Sequence, residues 1–368
     1  MRPLLVLGLI LLALFACAAP RAPAAAPSAA APAASAPSGA SAPAPSGGTT
    51  AAAPPSGPVT LKAAMNLGGS DAAIFIAMDR GYFAEQGLDL DVMRGSSELV
   101  PSLATGEIDV LAPAVSAALL NAMARDIPIR IVADKGSDPP GFSYQVITLR
   151  KDLYDSGQVR GWGDLRGRRL AQAGVQSSVD FLFARGLATA GLTLDDVDLV
   201  SISYPDMNAA FANGTIDVAS FWEPLLTVGI DQGWVVRWKP VEEIDAGHQS
   251  GILLYGKNLL VDNPDYAYRF MKAYIQGARA YNDAYRKGIG RDAVNTSIAN
   301  HTGVKPELQD KTVPAGINPD GCANSQDLGD QLAWFRSVGY LQRDLDLGSV
   351  VDNRFCERAV QELGRYSN

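Results

Sequence analysis

Histidine is nearly missing from this 368-residue chain: there are two, His248 and His301, far apart in sequence. Cysteine is almost as scarce, with Cys17, Cys322 and Cys356 the only three. No HExxH, CxxC or P-loop spacing occurs, which argues against a metal site and against a phosphate-binding NTPase. Basic residues are outnumbered, 31 Lys and Arg against 39 Asp and Glu, and a net charge of −8 argues against a nucleic-acid partner. The apolar run from Leu4 to Ala16 is too short for a comfortable transmembrane helix.

What is present divides by composition. Arg2 followed by that apolar run has the order of an export signal. The run ends Leu14-Phe15-Ala16-Cys17, which resembles a bacterial lipobox, although Phe15 is bulky for its place. The other reading is a plain secretory signal cut at the small residues nearby. Residues 18–57 are almost wholly Ala, Pro, Ser, Gly and Thr, and such a stretch cannot bury enough apolar surface to fold. It reads as a disordered tether between a lipid on Cys17 and a folded body. The body is too long for one typical domain, and a chain that is 47% hydrophobic can fill two cores.

The body opens on Val59 to Val92, read as strand, glycine loop, helix and parallel strand. Val59, Leu61 and Ala63 alternate. Gly68 and Gly69 let the backbone turn sharply and approach another molecule closely, Ser70 or Asp71 can cap the following helix, and Gly87 stands where a left-handed stop is expected. A short helix over 97–105, a strand within Gly106 to Ala112, a helix after Pro113 to Ser116 and a strand over 127–133 continue a βαβαβ rhythm, hence a parallel sheet. Tyr144 to Arg150 reads as a strand leading out of this first domain. Leu170 and Ala171, Val197 to Ile202, and the residues after Gly214 supply strands of a second, with Ser177 and Asp180 as a capping pair and Tyr204 to Asp206 as a loop before a helix. Gly214-Thr215-Ile216-Asp217-Val218 echoes Gly106-Glu107-Ile108-Asp109-Val110, as two similar lobes would require. Trp234 to Trp238 is a further strand, and Ser250 to Tyr255 is the return crossing. A long helix starts at Asn263-Pro264. Its stripe of Ala267, Phe270, Met271, Tyr274, Ala278 and Tyr281 reads as core. The tail, 289–368, is expected to be helical and to pack on the first domain, with a loop at Pro314 to Gly321.

Three phrases in this order resemble one family. Asp79-Arg80-Gly81-Tyr82-Phe83-Ala84-Glu85-Gln86-Gly87-Leu88 is similar to the opening helix of bacterial solute-binding proteins of ABC importers, in the group that takes up nitrate, sulfonates, taurine and thiamine-pyrimidine precursors. Gly163 to Ala171 resembles that group's entry into its second domain, and Phe221-Trp222-Glu223-Pro224 its Trp-acid-Pro signature. The resemblance covers roughly 59–288. It implies a type II periplasmic-binding-protein fold: two α/β domains, 58–147 with 251–368 and 148–250, joined by two chain crossings around a cleft. It implies a small-molecule solute, an ABC permease and ATPase as partners, no cofactor, and no enzymatic activity. With the lipobox it places the protein outside the cytoplasm, anchored to the bacterial cell membrane through Cys17. Outside the cytoplasm, Cys322 and Cys356 are expected to pair.

The expected ligand site is the set of loops that follow strands: Asn66, Gly68, Gly69, Ser70 and Asp71; Ser96 and Ser97; Ala114 and Val115; Gln176, Ser177 and Ser178; and Tyr204, Trp222 and Glu223. Helix N-termini in these loops favour an anion such as a sulfonate or nitrate, whereas Glu223 and Asp71 at the same cleft would favour an amino group. A taurine-like zwitterion satisfies both, and an aminopyrimidine would satisfy the carboxylate. Two other functions fit parts of the pattern. One is a ligand-sensing lipoprotein serving a receptor. The other is a thiamine-pyrimidine synthase, for which the histidines are misplaced and the cysteine cluster is missing.

Overall fold

In the computed structural model, residues 57–125 and 127–367 are described. The signal, Cys17 and nearly all of the tether lie outside them. Among the described residues, ten strands form two five-stranded sheets. Strands β1 (Val59–Met65), β2 (Leu88–Arg94), β3 (Val110–Ala112), β4 (Arg130–Asp138) and β10 (His248–Tyr255) make the first, in the order β2-β1-β3-β10-β4. Strands β5 (Gln145–Arg150), β6 (Arg169–Gln172), β7 (Asp198–Ser201), β8 (Val218–Trp222) and β9 (Val235–Pro240) make the second, in the order β7-β6-β8-β5-β9. The two patterns are the same. In each sheet the fourth strand arrives from the other lobe and runs antiparallel to its neighbours, while the first three are parallel. Both lobes belong to one compact unit, Pro54–Asn368. None of the described helices is long and apolar enough to cross a membrane.

The repeated Gly-x-Ile-Asp-Val phrase does the same job in both lobes. Gly106 and Gly214 end a helix with φ of +82° and +72°, a conformation that suits glycine. The Ile108 and Ile216 side chains then enter the cores. Asp109 and Asp217 each exchange two bonds with the second strand in the order of their sheet, β1 and β6. The Asp109 N–H donates to the Lys62 carbonyl at 2.9 Å and its carboxylate accepts from the Lys62 N–H at 2.8 Å. Asp217 repeats this with Arg169 at 3.0 Å and 3.0 Å. A short carboxylate thereby extends the strand ladder by one rung, so the third strand docks in register.

Helices cover the sheets, and the long helix Pro264–Lys287 lies along the first core with its apolar stripe buried. Gly277 explains how closely it sits on the helix Ala72–Asp79: a Cβ there would come within 2.0 Å of the Ala73 carbonyl. The tail is helical over Arg291–Thr302, Ser325–Ser337 and Arg354–Leu363 and packs on the first lobe, while Ser325–Ser337 also touches the helix Ser178–Ala188 of the second; Cys322 and Cys356 are bonded to each other.

Some expected boundaries shift. The strand expected at 127–133 runs instead over Arg130–Asp138: Pro128 offers no N–H to a ladder, and the polar stretch 134–138 pairs with β10 through irregular register. Tyr204 lies in the first turn of the helix Tyr204–Ala212 rather than in a loop. Strand β5 lies wholly in the second sheet and β10 wholly in the first. We therefore propose that the crossings fall at 139–144 and 245–247, not inside strands.

Candidate functional site

A cavity of about 570 Å³ lies where the strand-end loops of both lobes meet. From the first lobe come Asn66, Gly68, Gly69 and Ser70 after β1, Ser96 and Ser97 after β2, and Ala114 and Val115 after β3. From the second come Ser177 and Ser178 after β6, Tyr204 after β7, and Trp222 and Glu223 after β8. In both lobes the loop after the first strand carries a non-glycine residue in the left-handed region, Leu67 at φ +58° and Gln176 at φ +54°. Such residues are held there by their surroundings at a cost of roughly 1–3 kcal/mol and concentrate at ligand sites.

The lobes touch beside the cavity. The Ala117 N–H donates to the Gln176 carbonyl at 2.9 Å, and the Ser178 N–H donates to the Val115 carbonyl at 3.3 Å. Ser116 and Ser177 face each other as an antiparallel bridge. Each helix start is locally capped as well, Ser116 Oγ accepting from Leu119 at 3.3 Å and Ser177 Oγ from Val179 at 3.3 Å. Two of the N–H groups that a free helix terminus would offer an anion are thus engaged across the cleft.

Two of the expected site residues do not face the cavity. Asp71 is buried: its carboxylate takes the Lys135 ammonium at 2.6 Å and the Gly68 N–H at 2.9 Å. A carboxylate at the base of a tight loop stabilises that loop and its buried cation, and this one is sealed from the cavity by burial. Lys135 also reaches Ser70 Oγ, at 3.3 Å. Gln176 is exposed rather than part of the cavity lining, and its backbone N–H is held by Asp180 at 2.8 Å. Glu223 does line the cavity, yet it is committed. One carboxylate oxygen forms an ion pair with Arg237, and the other accepts from the Thr227 N–H at 3.1 Å and hydroxyl at 2.7 Å.

Aromatic rings make much of the wall. Trp222 meets Tyr204 at 5.1 Å and Tyr144 at 5.7 Å between ring centroids, and Tyr281 meets Tyr285 at 4.7 Å. Burial raises the pKa of Tyr144, Tyr204 and Tyr281 and pushes Tyr285 up to about 12, so all four phenols stay neutral. The sequence reading missed Tyr144, Tyr281, Tyr285 and a third wall from Ile298, Thr302, Val304, Gln309 and Thr312–Ala315. The helical spacing of Tyr281 places it in the core stripe, and it is buried. Spacing alone does not show that one end of the stripe borders a cavity.

One cluster of metal-ligand type occurs among the described residues: Asp245, His248 and Asp327, with donor atoms within 4.8 Å of one another. It lies at the second crossing, outside the cavity. His248 Nδ1 is 3.5 Å from Asp245 and 3.4 Å from Asp327. Burial pulls the imidazole pKa down, but these two carboxylates and the charge of Asp138 more than offset it, raising it to about 9. The imidazolium is therefore itself the cation of this cluster.

Comparison with known proteins agrees with this architecture. A putative binding protein of Brucella abortus is 29% identical over 157 residues, which cover 41% of this chain and 44% of that protein, so less than half of that relative's length is matched. Among solved structures, the periplasmic nitrate-binding protein NrtA of Synechocystis PCC 6803 superposes with a TM-score of 0.68 at 15% identity, covering 83% of this chain and 89% of that one. The alkanesulfonate-binding protein SsuA of Xanthomonas axonopodis pv. citri, bound to MOPS, gives 0.61 at 20%, covering 80% and 98%. The desulfurization enzyme DSZB gives 0.58 at 16%, covering 83% and 99%. At these identities the structural matches establish the fold. The family described as NMT1/THI5 like matches residues 70–285, more than half of the chain, and with the two-lobed periplasmic-binding-protein architecture this shows that the chain belongs to the NMT1/THI5-like family.

Proposed function

We propose that this chain is the extracytoplasmic solute-binding component of an ABC importer, held at the bacterial cell membrane by lipid on Cys17, and that it delivers a small solute to a permease and ATPase complex. The observation that carries the reading is the cavity itself. It is built from strand-end loops of two lobes joined by two crossings, the place where α/β sheets hold ligands, and the crossings let one lobe swing on the other. Relatives named as binding proteins point the same way. The enzymatic alternative finds little support in the cavity wall. Neither histidine lines it, and the two cysteines of the body are bonded to each other.

The solute classes that the family suggests are sulfonates, nitrate, taurine and thiamine-pyrimidine precursors. A thermal-shift screen of sulfonates, nitrate, pyrimidines and amino acids against the 58–368 body tests the binding function. A saturable rise in melting temperature with one class, reproduced by titration calorimetry, is the expected result. A flat response across all of them would sink the proposal.

A further inference from the structure

We infer that the solute is an uncharged, ring-bearing molecule, and that the strap of residues 303–315 sets how large a ring system the cavity accepts. This rests on the solute-binding reading above and narrows it.

Charge is the first argument. Among the residues lining the cavity there is no Lys, Arg or His, and Glu223 is the one charged side chain. Glu223 is already neutralised by Arg237, and the Asp71–Lys135 pair behind the wall is sealed from solvent. A bare anion or cation entering this space would lose its hydration and gain no counter-charge, which is unfavourable without dense hydrogen bonding. Helix starts can supply such bonding, but the Ala117 and Ser178 N–H groups are spent between the lobes, which leaves the first lobe's strand-end loops only the short single-turn starts at Gly69 and Ser97. An uncharged solute meets neither penalty.

Shape is the second. Flat rings line the space from both lobes, with Trp222 and Tyr204 on one and Tyr281 and Tyr285 on the other, and the tyrosines are neutral at physiological pH. Offset or edge contacts between rings stabilise an aromatic guest beyond its area alone. At about 570 Å³ the cavity falls in the range that encloses whole ring systems. Nitrate or taurine would leave most of it to water.

The strap is the third. Val304, Thr312, Val313 and Pro314 close the cavity with mainly apolar surface. The strap is fixed at its far end by Tyr281, whose hydroxyl donates to the Ala315 carbonyl at 2.8 Å. It also reaches the second lobe, Lys311 Nζ lying 3.1 Å from Asp231. All of it lies beyond residue 285, where the family match ends. Strap residues can therefore set the size limit independently of the shared loops.

The test is calorimetric titration of the full chain in detergent with two matched pairs, benzenesulfonamide with benzenesulfonate and naphthalene-1-sulfonamide with naphthalene-1-sulfonate, together with nitrate and taurine. Each pair keeps the ring and changes the charge. The expected result is that the sulfonamides bind at least about tenfold tighter than their sulfonates, with no saturable binding of nitrate or taurine up to about 1 mM. Val304→Trp, at a half-buried position, should weaken the naphthalene sulfonamide about tenfold and the benzene sulfonamide much less. If a sulfonate outbinds its sulfonamide, or if nitrate or taurine binds most tightly, the inference is overturned while the solute-binding function stands. If Val304→Trp weakens both sulfonamides equally while its melting temperature is unchanged, the strap's part in it is wrong. If none of the six compounds binds, the inference fails, and the broader thermal-shift screen alone decides the function.

Discussion

Trp222 and Glu223 stand side by side in sequence but play opposite parts at the cavity. Trp222 presents a ring flanked by Tyr204 and Tyr144, so Trp222→Ala should weaken solute binding by more than ~1 kcal/mol through lost ring contact, read by calorimetry with the best hit of the screen. Glu223 is engaged by Arg237 and Thr227, so its removal acts first on stability. Glu223→Gln should cost ~1–3 kcal/mol by leaving a half-buried guanidinium without its partner, seen as a lower melting temperature. Affinity for an uncharged solute should hardly change, and affinity for an anion should rise because the one carboxylate at the cavity wall is removed. If both substitutions leave affinity within error for every solute, the Trp-Glu-Pro segment is packing only. His248 gives a pH signature at the same scale. Its pKa is raised in the folded state from 6.5 to about 9, so the folded protein holds a proton that the unfolded chain releases. Its stabilisation is complete below pH 6.5 and is lost as pH rises through 9. Asp134, raised to about 6 chiefly by burial, has the same sign at lower pH. Melting temperature should therefore fall between pH 6.5 and 9.5, and His248→Asn should flatten that slope. An unchanged slope in the variant would show that other groups carry it.

Among the elements, the segment 312–322 links the cavity to the disulfide. It runs beside β4, with the Ser137 N–H donating to the Gly316 carbonyl at 2.8 Å, the Asn318 N–H to Asp134 at 2.7 Å and the Asp134 N–H to the Gly321 carbonyl at 3.0 Å. It then enters Cys322, bonded to Cys356 in the helix Arg354–Leu363. Closing a loop of this length, a sequence separation of 34, restricts the unfolded chain by ~3–4 kcal/mol in the chain-entropy picture. Replacing both cysteines by serine should lower the melting temperature accordingly. It should also raise hydrogen exchange first in 312–322, because the cross-link anchors that stretch. Equal exchange in both forms would mean that the hydrogen bonds to β4 suffice. The pairing was legible from two cysteines in a chain whose leader reads as an export signal, but the wall that it supports was not, since its lining residues share no spacing or motif.

For the whole molecule, the interlobe bonds of Ala117 and Ser178 beside the cavity and the Lys311–Asp231 ion pair from the tail join the two lobes at separate places. Cys17→Ser should release the protein from the membrane fraction, because a stable anchor needs acyl chains on that sulfur. Unchanged fractionation of the variant would remove lipidation from the proposed function.

Local pattern and composition sufficed for some of this architecture. Strand alternation, glycine stops and the Gly-x-Ile-Asp-Val echo are set by neighbours a few residues apart, and they announced two similar α/β lobes and the strand-end loops between them. The cavity's character was decided only in three dimensions. Whether Asp71 faces a solute or Lys135, whether a helix start keeps its N–H groups or gives them to the other lobe, and whether Tyr281 ends in core or at a wall all depend on partners far away in the chain. Charge and hydrogen bonding are satisfied by whichever group folding brings within about 3 Å, and no local pattern names that partner.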